Sequence, residues 1–198
     1  GELERRLPHG AARTVAWLYL AVVEPFREFA TREGWLAILL FVMLYKLGDA
    51  YLGVMANPFY IKMGFSVAEI ASVSKVFGFG ATLIGALLGG IMVIRIGIFR
   101  SLLYCGILQA LSNLVFAAQA AAGHNIAMLV VTIAAENVTG GMATAAFVAY
   151  LSSLCNTAYT ATQYALLTSF MAFSRDVLAA SSGVLAERVD WITFFVIT

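Results

Sequence analysis

Six ionisable side chains lie within stretches of this chain that are otherwise apolar enough to cross a membrane. They are Lys46, Asp49, Lys75, Glu136, Arg175 and Asp176. A charge near the centre of a bilayer costs about 2.5–3.5 kcal/mol on insertion scales, so charges kept there commonly line a substrate or ion pathway. Because three are cationic and three anionic, the set can neutralise itself within a helix bundle.

The cationic residues are predicted to bind substrate and the acidic residues to carry protons. Cations suit an anionic substrate, and arginine suits bidentate contact with a carboxylate. We therefore predict that substrate is bound by Lys46, Lys75, Asn137 and Arg175. Intramembrane carboxylates serve as proton relays, so the predicted proton-coupling residues are Asp49, Glu136 and Asp176. Which acid titrates stays open, and for any single residue an ion pair that locks the bundle is the alternative.

The composition predicts an all-α, polytopic membrane protein. Hydrophobic residues make up 62% of the 198 residues and charged residues 12%, and the mean hydropathy is +0.89. A typical soluble domain is about 45–50% apolar and about 25% charged. No basic tract predicts nucleic-acid binding. The two cysteines and two histidines lack metal-ligand spacing, so neither a metal site nor a cofactor is predicted.

Apolar runs predict five membrane-spanning helices and the start of a sixth. They cover about residues 35–57, 67–94, 101–122, 126–154, 164–186 and 191–198, the last expected to be cut short. Pro58 is expected to end the first span, and Ser66 with Glu69 forms a capping box before the second. Residues 1–34 are arginine-rich and amphipathic and predict a membrane-surface linker without a signal peptide. Both ends of the chain are expected to be cuts through a longer protein.

Lysine and arginine in the short loops predict the orientation. Residues 1–34 hold five arginines, and Arg95 and Arg100 follow the second span, whereas the opposite loops hold only Lys62 and Arg188. The linker is therefore predicted to be cytoplasmic. The third predicted span carries no charge, so we expect the other four to line a polar cavity while the third supports them from the lipid side.

Glycines mark two further features. Ala81, Gly85 and Gly89 form a stripe of small residues at helical spacing, which predicts close helix packing. The stretch 136–141 puts polar residues before two glycines and predicts a weakened helix near mid-membrane, as in transporter binding sites. Tight glycine packing is the alternative explanation of that stretch.

The loop after the second span resembles a motif of the major facilitator superfamily, Gly-x-x-x-Asp-Arg-x-Gly-x-x-Arg. Ile94 stands where that motif has its acid. The resemblance implies a gating loop that contains Gly90, Arg95, Gly97 and Arg100.

Several segments together resemble the muropeptide permeases of Gram-negative bacteria, the AmpG type. They are Val23-Glu-Pro-Phe-Arg27, Leu44-Tyr-Lys-Leu-Gly-Asp49, Gly106-Ile-Leu-Gln-Ala-Leu-Ser-Asn113, Glu136-Asn-Val-Thr-Gly-Gly-Met142 and Ala161-Thr-Gln-Tyr-Ala-Leu-Leu167. The resemblance implies the C-terminal half, helices seven to twelve, of a proton-driven importer in the bacterial inner membrane. Such an importer carries anhydro-muropeptides into the cytoplasm for cell-wall recycling and requires an N-terminal six-helix half that is missing here.

Two other functions remain open at this point. The same fold transports other anionic solutes, such as acetyl-CoA or peptides. Alternatively, the chain is a non-transporting membrane subunit whose charges hold a partner helix. An intramembrane enzyme is not predicted, because no His-Glu-x-x-His or paired-aspartate arrangement is present.

Overall fold

The computed structural model describes residues 19–180 and 182–197, and these are all-α. The helices are α1 (Glu24–Ala30), α2 (Trp35–Tyr45), α3 (Leu47–Lys62), α4 (Val67–Val73), α5 (Phe79–Ile96), α6 (Ile98–Ala122), α7 (Ile126–Leu154), α8 (Thr160–Ala179), α9 (Ser182–Arg188) and α10 (Trp191–Ile197). Two π-helical segments, Tyr19–Val23 and Ser74–Gly78, precede α1 and α5. Residues 1–18 of the predicted linker lie outside the described residues.

Within residues 19–180 and 182–197, four helical stretches are long and apolar enough to cross a membrane, by length and composition. They are Trp35–Lys62, Val67–Ile96, Ile98–Ala122 and Ile126–Leu154. The prediction of an all-α chain with membrane-spanning helices is confirmed at this level. The division of the chain into a linker and a bundle stays a prediction.

The first span differs from the prediction at both its middle and its end. Pro58 lies inside α3, which continues to Lys62. Proline removes one helical hydrogen bond, but the next two residues, Phe59 and Tyr60, are buried in an aromatic core. The expectation that Pro58 ends the span is therefore wrong, because packing holds the helix together past it. The interruption lies instead at Lys46, whose φ of −99° and ψ of 9° separate α2 from α3.

The helix irregularity lies in the second span, whereas the sequence predicted one in the fourth span. Lys75 lies in the π-helical segment Ser74–Gly78, and such segments are frequent at functional sites. By contrast, α7 is an uninterrupted helix from Ile126 to Leu154. The expected weakening at residues 136–141 is thus absent.

Glycine packing against α5 explains why that stretch of α7 stays helical. A Cβ on Gly141 would lie 2.6 Å from the carbonyl oxygen of Thr82, and one on Gly89 would lie 2.5 Å from that of Met142. A Cβ on Gly85 would overlap the Val138 carbonyl group. The small-residue stripe therefore lets the two backbones touch, as its spacing predicts.

Two buried clusters hold the ends of the bundle. One is mainly aromatic and joins α3, α6 and α10 through Phe59, Phe116, Phe194 and Phe195. The other joins α1, α2, α6, α7 and α8 and includes Phe29, Val42, Cys105, Phe147 and Leu167. Where residues 164–186 predict one span, the structure has two helices, with α8 ending at Ala179 and α9 beginning at Ser182.

Candidate functional site

A cavity of about 410 Å³ lies between α3, α5 and α7, and polar side chains form part of its wall. Its polar wall consists of Asp49, Thr82, Glu136, Asn137 and Thr144. The lining residues of α7 recur every three or four positions, which places them on one face of the helix. The close contact between α5 and α7 brings Thr82 beside Asn137.

Lys46 and Asp49 form an ion pair at this cavity. The Lys46 ammonium group also donates to the Thr144 hydroxyl, at 3.2 Å. Because the helix is interrupted at Lys46, Asp49 lies in the first turn of α3, where the helix dipole favours an acidic side chain. The side chains of Lys46 and Asp49 are 13% and 24% exposed. The charges are therefore neither free in solvent nor completely enclosed.

The second acid of the cavity, Glu136, is held by its neighbour. The Asn137 amide donates to Glu136 Oε2 and to the carbonyl oxygen of Ile133, each at 2.8 Å. The Thr82 hydroxyl lies 2.9 Å from both Asn137 Oδ1 and the Gly78 carbonyl oxygen, and these two acceptors compete for its one hydrogen. Asn137 thus uses both N–H donors to position Glu136 and its own helix, so contact with a substrate requires it to exchange one of these partners.

The structure brings together four of the seven predicted substrate and proton residues: Lys46, Asp49, Glu136 and Asn137. Asp49, Glu136 and Asn137 line the cavity, and Lys46 joins them through its contacts with Asp49 and Thr144. The other three neither line the cavity nor make such a contact. Lys75 is exposed. Arg175 and Asp176 pair with each other at 3.0 Å, with side chains 58% and 70% exposed. In this structure three helices, α3, α5 and α7, rather than four, surround the 410 Å³ cavity. The roles of all seven stay predictions.

Sequence reasoning missed Thr82, Thr144 and the contribution of α6. Thr144 lies eight residues after Glu136, so helical periodicity alone places it on the same face. Gln109 and Asn113 of α6 lie beside Asp49 in a second cavity, although the third span was expected behind the site. The prediction used charged residues to identify the lining helices, and α6 has only uncharged amides at this place, so its contribution was missed.

The predicted gating loop is one residue long in the structure. Gly90 and Arg95 lie in α5, Arg100 lies in α6, and Gly97 connects the two helices with a φ of +84°. Only glycine adopts such a backbone readily, which explains its presence there. Both arginines are exposed.

A polar cluster ties the end of the predicted linker to α7 and α8. Arg32 pairs with Glu28 at 2.7 Å and donates to the carbonyl oxygen of Leu154, at the end of α7. Gln163 of α8 is fully buried and donates to Glu28 and to the Pro25 carbonyl oxygen. The hydrogen bond from Arg32, with others from Gln163 and Asn156, holds the pKa of Glu28 below its usual value of 4.5.

Comparison with known proteins gives homologues over most of the chain. No protein-family model matches it. The chain is 39% identical over 184 residues to the putative transporter AmpG 4 of Rickettsia felis, covering 93% of this chain and 44% of that protein. It is 40% identical over 176 residues to the anhydromuropeptide permease of Escherichia coli K12, covering 88% of this chain and 36% of the permease.

A third relative, the putative transporter AmpG 1 of Rickettsia prowazekii, is 42% identical over 161 residues, which are 81% of this chain and 36% of that protein. The chain therefore spans about two fifths of the length of the curated relatives it matches. The resemblance predicted from the sequence motifs is confirmed, and the chain is homologous to part of the AmpG-type transporters.

Proposed function

We propose that this chain forms the C-terminal half of a proton-coupled importer of anhydro-muropeptides, of major facilitator type. The observation that carries the proposal is that Asp49 and Glu136 line one cavity between apolar helices, with Lys46 paired to Asp49 beside it. Homology to a protein named anhydromuropeptide permease supports the substrate class. In this proposal the helices correspond to helices seven to twelve, and an N-terminal half completes the transporter. It lies in the bacterial inner membrane, with residues 1–34 on the cytoplasmic side.

The ion pair supplies a direct way to couple protons to an anionic substrate. While Asp49 is ionised, its carboxylate forms an ion pair with the Lys46 ammonium group, which is then not free to bind an anionic substrate. When Asp49 accepts a proton, the ammonium group becomes available to a carboxylate of the muropeptide. Glu136, held by Asn137 on the opposite wall, supplies a second acceptor for the proton. Alternating access then carries substrate and proton across together.

Cargo identity is tested by uptake into proteoliposomes that contain the complete transporter. With an imposed pH gradient, we expect labelled anhydro-muropeptide to accumulate in the direction of proton flow and an uncoupler to abolish the accumulation. Excess unlabelled muropeptide should compete, whereas acetyl-CoA and free peptides should not.

Two results contradict this proposal. Stronger competition by acetyl-CoA or peptides assigns the same fold to another anionic cargo. Absence of uptake with all three cargoes, from protein that is folded and correctly inserted, favours a non-transporting membrane subunit.

A further inference from the structure

A second, smaller cavity lies behind Asp49. It has a volume of about 160 Å³ and lies between α3, α6 and α7, with Asp49, Gln109 and Asn113 in its wall. Asp49 also lines the 410 Å³ cavity, so this residue belongs to the walls of both spaces. The proposed function uses only the larger cavity.

The small cavity contains polar atoms that lack protein partners. Gln109 Oε1 is buried and has no hydrogen bond among the described residues. Asn113 is 5% exposed, and its side chain makes no hydrogen bond within the described part of the chain. Leaving an amide unpaired in a protein interior is costly. The atoms of these two amides other than Gln109 Oε1 are not sealed off, and both residues lie in the cavity wall, so a partner in the cavity can reach them. Rotating the Gln109 amide only exchanges an unpaired acceptor for an unpaired donor.

Water fits this cavity better than other small ligands. One water occupies about 30 Å³ in the liquid, so the volume holds several molecules. A buried water needs two to four polar partners, and Gln109, Asn113 and Asp49 supply amide and carboxylate groups for that purpose. The charge of Asp49 is already balanced by Lys46, so nothing in the wall calls for an ion.

We propose that this cavity holds ordered water that hydrogen-bonds to Gln109 and Asn113 and hydrates Asp49 from the α6 side. The span without charges then belongs to the site, because its two amides anchor the water. The consequence for transport rests on the proposed function: the water gives protons a route to Asp49 that does not pass through the substrate cavity.

A high-resolution structure of the complete transporter tests the water directly. We expect water density within hydrogen-bond distance of the accessible end of the Gln109 side-chain amide and between Asn113 and Asp49, and loss of that density in the double variant Gln109→Leu with Asn113→Leu. A dry cavity in the wild type, or one filled by a protein side chain, overturns the proposal. The wild-type density decides this even if the double variant fails to fold.

Transport by the same variants tests the consequence. Proton-driven uptake should fall by roughly tenfold, the order expected for loss of a hydrogen-bonded group, while substrate counterflow, which needs no net proton movement, stays unchanged. Gln119→Leu is the matched control, since it is the same change in the same helix, about 15 Å away by helix rise. Equal loss of uptake and counterflow in the Gln109 and Asn113 variants overturns the proton route. A hydrated wild-type protein that transports no muropeptide instead disproves the proposed cargo and leaves the water site standing.

Discussion

The ion pair between Lys46 and Asp49 determines how the site responds to substitution. Both side chains are largely withdrawn from solvent, at 13% and 24% exposure. Removing one partner of a buried pair leaves an uncompensated charge and costs about 3–5 kcal/mol when burial is complete. Replacing both partners by apolar side chains is often neutral. The pair is therefore expected to serve function more than stability.

This reasoning predicts an asymmetry between single and double variants. In the complete transporter, Lys46→Met should lower the midpoint of thermal unfolding in detergent, because Asp49 then lacks its partner. Adding Asp49→Leu should restore most of the loss. A double variant that is no more stable than Lys46→Met would contradict this account of the pair.

Spacing in the sequence was enough to predict some of these contacts and not others. Lys46 and Asp49 are three residues apart, a spacing that predicts pairing, and the structure confirms the ion pair although Lys46 lies at the break between α2 and α3 rather than within one helix. For Arg175 and Asp176 the sequence predicts a position near the middle of a span but not the direction in which the side chains point. In the structure they pair with each other and remain exposed. Side-chain orientation depends on how α8 packs, which no local pattern in residues 160–179 reveals.

At the scale of helices, the contact between α5 and α7 builds one wall of the site. Three glycines, Gly85, Gly89 and Gly141, leave no room for a Cβ at this contact. Small residues four apart predicted such packing from the sequence alone. The helices actually deviate at Lys46 and at residues 74–78. The second place contains Gly78, but a single glycine does not by itself predict a π-helical segment, so neither deviation was predicted.

We predict that Gly85→Ala forces α5 away from α7, since the added methyl would overlap the Val138 carbonyl group. Overpacking of this kind typically costs about 1–3 kcal/mol, so the unfolding midpoint should fall and less transporter should be recovered from membranes.

Gly80→Ala is the matched control in the same helix, because a Cβ there meets nothing within 4 Å. Replacing that glycine should leave stability unchanged or raise it by about 0.5–1 kcal/mol, since alanine loses less backbone freedom on folding. Equal destabilisation by Gly80→Ala and Gly85→Ala would show that helix contact is not the cause.

At the scale of the whole molecule, the cluster around Glu28 connects the segment before the bundle to α7 and α8. Arg32 caps the end of α7, and Gln163 bonds to Glu28 from inside the bundle. In the proposed transport cycle, a movement of α7 or α8 therefore acts on α1 as well. The amphipathic character of residues 1–34 predicted a surface segment, but these specific contacts join residues more than 120 positions apart and have no local signature.

The lowered pKa of Glu28 gives this connection a pH dependence of known sign. A carboxylate whose pKa is depressed in the folded state stabilises the protein above its unfolded pKa, here about 4.5, and loses that contribution as the pH falls through the folded pKa. Glu28→Gln should therefore lower the unfolding midpoint at pH 7, and the difference from wild type should shrink below about pH 4.5. Glu33→Gln, at an exposed position nearby, should show no such trend. A difference that is constant with pH would contradict the role of the Glu28 charge.

The central claim is that the acids of the large cavity couple proton movement to substrate movement. The most direct measurement follows proton flux and muropeptide flux together, in proteoliposomes of the complete transporter with Asp49→Asn or Glu136→Gln. Glu187→Gln, at an exposed position, is the control. We expect both cavity variants to lose proton-driven accumulation while they keep substrate counterflow. Proton-driven accumulation at the wild-type level in both Asp49→Asn and Glu136→Gln would contradict the account.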